Sequence, residues 1–119
     1  MKVAVLGASP KEDRYANKAL HRLAEKGHEA IGVNPAVPDL GDFPCVAQVP
    51  DLPQGVDTAS VYLGKARSDE LADQILSYGF RRVVFNPGAE NPELQRRLDE
   101  AGVETLEACT LVLLSTNQF

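Results

Sequence analysis

Apolar residues fall along this chain in short runs that alternate with stretches of helical spacing. Lys2–Leu6 (KVAVL) is a β-branched run stopped by Gly7, the pattern of a strand buried on both faces. From about Arg14 to Lys26, the residues Ala16, Ala19, Leu20, Leu23 and Ala24 share one helical face, and Gly27 follows as a stop. Ala30–Val33 predicts a second strand, turned by Asn34-Pro35. Residues 34–56 hold most of the prolines and predict only a short strand near Val46. Thr58–Leu63 reads as the next buried strand, followed by a helix over Ser68–Tyr78 that closes at Gly79. Arg82–Phe85 is a strand and Asn86-Pro87-Gly88 a turn. Asn91 stands as the N-cap of a helix over Pro92–Ala101, ended by Gly102, and Val103–Leu106 is the last strand. Cys109–Ser115 is a short apolar segment with helical character.

Strands alternating with helices across short loops imply βαβ crossovers. The expected fold is α/β, a three-layer doubly wound architecture with a mainly parallel sheet, and a flavodoxin-like strand order is the alternative. In either order ligands bind beyond the carboxyl ends of the strands, where strand order reverses. The loops after Leu6, Val33, Leu63 and Phe85 are therefore the ones to search.

Composition narrows the classes. The 119 residues are expected to form one domain spanning 1–119, with no second domain to carry a dehydrogenase's substrate site. The opening apolar run is too short for a signal-peptide core, and no stretch reaches the roughly 20 apolar residues of a membrane helix. A net charge of -5 argues against nucleic acid, which selects a basic face, but leaves a small anionic ligand open. Cys45 and Cys109 match no metal or redox pair and read as reduced thiols, with a cytoplasmic location expected. His21 and His28 fit no metal-ligand spacing, so no metal is expected.

The first loop, GASPKEDRYANK from Gly7 to Lys18, can serve an anion. Gly7 allows a sharp exit, amides at a helix start attract phosphate, and Ser9, Lys11, Arg14 and Lys18 add donors or charge. The loop lacks GxGxxG and is not a P-loop. Strand two ends in Asn34 where a dinucleotide domain carries Asp or Glu for the ribose. Lys65 and Arg67 fall near the start of the helix after the fourth strand, where basic residues oppose the helix dipole. No G-x-S-x-G elbow or nucleophile–base pairing is legible, so no catalytic residues are assigned and an enzyme is not expected.

Together, Gly7-Ala8-Ser9-Pro10, Arg14, Lys18, Gly27-His28, Asn34-Pro35 and the Gly88…Asn91 loop resemble the CoA-binding protein family. These are stand-alone Rossmann-like domains similar to the CoA-binding domain of the succinyl-CoA synthetase α subunit. The resemblance covers nearly the whole chain and implies CoA or an acyl-CoA lying across the strand ends. It implies phosphates near Gly7, Ala8, Ser9, Arg14 and Lys18, with Asn34 and Pro35 flanking. Tyr62, Leu63, Pro87 and Gly88 would line the rest of the groove, with Lys65 as a compensating cation. The chain departs from the family pattern at Ala36, at Leu63-Gly64 and in its TLVLLSTNQF end, where many relatives are basic.

The leading expectation is a non-catalytic module whose partner is the small molecule CoA. An NAD(P) or other adenine-nucleotide module remains an alternative, as does a protein-interaction module whose nucleotide site has decayed. A small thioester enzyme using Cys109 is the least favoured reading. The protein partner is left open, a homo-oligomer among the options.

Overall fold

The computed structural model describes residues 1–119. Its strands are β1 (Lys2–Leu6), β2 (Glu29–Val33), β3 (Cys45–Val46), β4 (Thr58–Val61), β5 (Arg82–Phe85) and β6 (Glu104–Glu107). They form one six-stranded sheet in the order β3-β2-β1-β4-β5-β6. Every pairing is parallel, which is the all-parallel form of the expected Rossmann-like sheet. The order reverses between β1 and β4, the place such folds reserve for ligands.

Five helices cover the sheet: α1 (Tyr15–Glu25), α2 (Lys65–Glu70), α3 (Ala72–Tyr78), α4 (Pro92–Glu100) and α5 (Thr110–Ser115). The period-2 alternation of β1 splits the core in two. Ala4 and Leu6 join Val61, Ile75, Phe85, Leu94 and Leu98 beneath α3 and α4. Val3 and Val5 join Leu20, Leu23 and Leu114 beneath α1 and α5.

The structure differs from the sequence expectation in two instructive places. β4 stops at Val61 rather than Leu63 because its neighbour β1 ends at Leu6, where Gly7 turns the backbone away at φ +87°. The single helix expected over 68–78 starts earlier and is broken into α2 and α3 at Leu71. Ser68 Oγ bonds back to the Lys65 carbonyl at 3.1 Å, an interaction that bends helices. Asn91 then grips the same turn, donating to Ser68 Oγ and Asp69 Oδ1, each at 2.8 Å. Its Oδ1 accepts from Leu94 N, the N-cap expected of it.

A buried amide ties the sheet to α5. Asn86 is 1% exposed and donates to Ser60 Oγ at 3.0 Å and to the Val61 carbonyl at 2.9 Å. Its Oδ1 accepts from Thr110 N at 2.8 Å, and the Ser60 and Thr110 hydroxyls share a 2.7 Å bond. At the far end of α5, the Phe119 ring lies 4.4 Å from the guanidinium carbon of buried Arg82.

Asn86→Ala leaves the Thr110 N–H and the Ser60 hydroxyl short of partners, and should cost about 2–4 kcal/mol in urea unfolding. The Asp57–Arg81 pair generates a second prediction. Arg81 Nε donates to Asp57 Oδ1 at 2.8 Å, and this bond above all holds the carboxyl below its ordinary range. Its contribution is complete above the ordinary Asp pKa of about 3.9 and disappears as pH falls through the lower folded value. Acid unfolding of Arg81→Met, followed by circular dichroism, should show a shallower pH dependence below about pH 4 than the native chain.

Candidate functional site

The loop after β1 is shaped by close backbone approach. A side-chain carbon on Gly7 would sit 3.0 Å from Leu63 Cδ2 and 3.3 Å from the Tyr62 carbonyl, in a backbone conformation that disfavours any residue but glycine. One strand over, a side-chain carbon on Gly32 of β2 would collide with Leu40 Cδ1 and meet Ala8 Cβ at 2.8 Å. Two side-chain amides then orient the loop. Asn34 Nδ2 donates to the Ala8 carbonyl at 2.9 Å, and buried Asn17 of α1 donates to the Ser9 carbonyl at 3.0 Å. In a trans peptide the N–H opposes the C=O, so holding the Ala8 oxygen turns the Ser9 N–H the other way.

The backbone N–H groups of Ala8, Ser9, Tyr15 and Ala16 make no hydrogen bond within the protein. The last two open α1, whose N-cap residue, Arg14, makes no side-chain capping bond. Free amides and the positive end of the helix dipole therefore meet at one place, the arrangement that receives anions. Around them is a cleft of about 520 Å³ lined by Gly7–Lys11, Arg14–Ala16, Asn34, Ala36, Val37 and Tyr62.

Tyr62 closes the cleft from the β4 side. Burial pushes its phenol up to about 12, so it stays protonated and a donor. The Ser60 and Thr110 hydroxyls are near enough to moderate that rise, yet the Tyr62 oxygen is buried without a hydrogen-bond partner.

A second, more enclosed cavity of about 170 Å³ lies across Asn34. Leu6, Val33, Pro35, Leu63 and Leu71 give it apolar walls, and Gln48, Gln74 and Arg67 supply polar groups.

The residues singled out from the sequence thus fall into three sets. Gly7, Ala8, Ser9, Arg14, Asn34 and Tyr62 come together at the cleft, and Pro35 and Leu63 line the enclosed cavity beside it. Lys18, Lys65, Pro87 and Gly88 line neither. Lys18 lies over the Tyr15 ring at 5.2 Å and borders a separate open groove of about 710 Å³ between α1 and α5. This groove is the largest concavity, yet only Leu111 and Val112 of its lining are apolar and none of the first-loop amides belongs to it. Lys65 is drawn to Asp69 on its own helix at 2.8 Å, which raises its pKa. The Gly88 N–H is taken by the Glu90 carboxylate at 3.0 Å. Asn34, read from sequence as a ligand or turn residue, spends both ends of its amide inside the fold, since its Oδ1 accepts from Ala36 N at 2.9 Å. Gln48 and Gln74 carried no sequence signal, being polar residues in a proline-rich loop and a helix.

A family model described as a CoA binding domain matches residues 1–115. An ADP-forming acetate–CoA ligase of Archaeoglobus fulgidus is 30% identical over 108 residues, covering 82% of this chain and 15% of the ligase. The fold superposes on the crystal structure of an uncharacterized protein with a TM-score of 0.93 and 39% identity, covering 99% of this chain and 97% of that one. A dinucleotide-forming acetyl-coenzyme A synthetase 1 of Ca. Korarchaeum cryptofilum, solved with phosphate and ADP, superposes with a TM-score of 0.74 and 25% identity. That match covers 90% of this chain and 25% of the synthetase.

The tight fit at Gly32 makes the loop testable. Gly32→Ala forces its new methyl against Leu40 and Ala8 and should destabilise the fold by about 1–3 kcal/mol in thermal unfolding, with amide chemical-shift changes at both Gly7–Lys11 and the segment around Leu40.

Proposed function

The chain belongs to the CoA-binding domain family, and on that footing we propose that it is a binding module for CoA or an acyl-CoA, which lies along the C-terminal edge of the sheet with its phosphates at the start of α1. One observation carries the reading: four unbonded backbone amides, at Ala8, Ser9, Tyr15 and Ala16, share a cleft with Lys11 and Arg14. Phosphate oxygens are acceptors only, and so match a lining of amide and cationic donors. The Tyr62 phenol adds a buried donor without a partner in the same cleft. The net charge of -5 does not oppose this, because the two cations stand where the ligand would bind and the acidic residues elsewhere are partly spent in ion pairs.

The module is assigned no chemistry of its own. The hydroxyls of Ser60 and Thr110 at this edge are committed to each other and to Asn86. The acetate–CoA ligase shares this region over 15% of its length, so its reaction is not carried over. Asn34 also supports CoA over NAD. It is uncharged, and its amide holds Ala8 and Ala36 instead of reaching for a ribose.

Calorimetric titration with CoA, NAD and ATP tests the proposal. CoA should give saturable heat below millimolar concentration, and Lys11→Ala and Arg14→Ala should each weaken it about five- to tenfold without lowering the melting temperature. The affinity should also fall as salt rises. Saturable binding of NAD or ATP with no response to millimolar CoA would overturn it.

A further inference from the structure

Between β2 and β3 the chain runs as a strap, Pro35–Pro44, along one side of the cleft, to whose wall it contributes Ala36 and Val37. The middle of the strap, Pro38–Phe43, makes no backbone hydrogen bond with the rest of the protein. Two side chains hold it instead. Leu40 is the one buried residue of the strap, and it fills the notch over Gly32 where the Ala8 methyl also lies. The Phe43 ring meets His21 of α1 edge-on, with ring centroids 5.0 Å apart. The Cys45 thiol borders the same notch and lies 3.4 Å from the Val37 carbonyl. Asn34 makes a further link, since its amide donates to the Ala8 carbonyl and accepts from Ala36 N. Ala8 is thus tied to the strap at two points, beside Leu40 over Gly32 and through one shared amide. A segment with so few bonds opens locally at far less cost than the sheet beneath it.

We infer that the strap is a lid coupled to the cleft: an anion on the Ala8 and Ser9 amides favours the latched position of Leu40, and latched Leu40 favours the anion. An anion held by those amides fixes Ala8, and a fixed Ala8 keeps the surface on which Leu40 packs. When Leu40 leaves the notch, the strap draws Ala36 and Val37 out of the cleft wall. Asn34 then loses its Ala36 partner, and the first loop loses its brace. Such coupling is reciprocal, so each event strengthens the other by the same factor. The inference rests on the proposed reading that the cleft takes the anionic part of a ligand, but the tie between Ala8 and the strap is measurable without one.

Cys45 supplies the readout, because it does not line the cleft and a ligand there reaches it only through the strap. Iodoacetamide alkylation of the full chain, resolved by peptide mass spectrometry, gives separate rates for Cys45 and Cys109. The Cys109 rate in the free protein registers any general loosening of the fold. Leu40→Ala should speed Cys45 about tenfold or more and leave Cys109 unchanged. The same variant should bind CoA about threefold or more weakly. Saturating CoA should slow Cys45 about fivefold in the native chain and less than about twofold in Leu40→Ala. Ala8→Gly, a milder change, should speed Cys45 about threefold with no ligand present, since the methyl beside Leu40 is gone. Bound CoA that leaves Cys45 at its free rate would overturn the inference, as would native CoA affinity in Leu40→Ala. If CoA does not bind, the CoA proposal falls and inorganic phosphate serves as the anion. Slowing of Cys45 by phosphate in the native chain but not in Leu40→Ala then upholds the lid, and no slowing sinks it. With any ligand or none, an unchanged Cys45 in Ala8→Gly, or both thiols faster together, refutes the tie.

Discussion

The amide of Asn86 is the interaction on which the ligand edge depends. Two parallel strands that end side by side leave carbonyls with no ladder partner, and in the interior those groups must be satisfied or the edge frays. Asn86 answers for the end of β4 through Val61 and Ser60, and for the start of α5 through Thr110. It thereby fixes α5 over the β4–β5 half of the sheet, where buried Thr58, Ser60 and Arg82 form a polar layer beside Val84. A polar layer of this kind is stable only when nearly every member is bonded. Its members pair with one another or with Phe119, and the Tyr62 oxygen is the buried exception.

That exception sits with the other unsatisfied groups. The orphan oxygen of Tyr62 and the four free amides of the first loop and α1 lie around the cleft beside Asn34, and the second orphan oxygen belongs to Gln74, a residue that lines the cavity across it. No other buried side-chain polar atom of the fold lacks a partner. Concentrating the cost at the crevice where strand order reverses is the pattern of a site shaped for an occupant rather than for its own stability. Asn34 is the partition between the cavities, and it acts as a brace: it pins Ala8 and Ala36 so that neighbouring donors face outward.

Electrostatics in this molecule is local. Lys65, Arg81 and Arg96 are held by carboxylates at 2.8 Å, and their charge is spent there. Lys11 and Arg14 have no such partner and stand beside the α1 amides. An acidic protein can thus present a cationic edge, because ion pairs at contact distance outweigh charge spread beyond a Debye length.

Element types, their order and the doubly wound sheet were legible in the sequence, because periodicity and glycine or proline stops act within a few residues. Asn91 could be read as a cap for the same reason. The break at Leu71 could not, since it comes from Ser68 bonding its own helix while Asn91, over twenty residues later, holds the same turn. The site was legible in half. Gly7–Ser9 and Arg14 lie contiguous in the chain and arrive together, and family likeness drew Asn34 and Tyr62 to them. The gathering of Lys18 and Lys65 with Arg14 was not realised, because helical phase carries Lys18 to the α1–α5 groove and Asp69 captures Lys65. Asn86 looked like a turn residue and Gln74 like a surface one, and only packing between distant segments buried the Asn86 side chain and the Gln74 amide oxygen. The sequence by itself determined the fold and the point where strand order reverses, since both follow from short-range pattern and the order of the elements. The tertiary structure decided which donors face that place and which polar atoms are left without partners there, since burial and hydrogen-bond completion depend on neighbours that are remote along the chain.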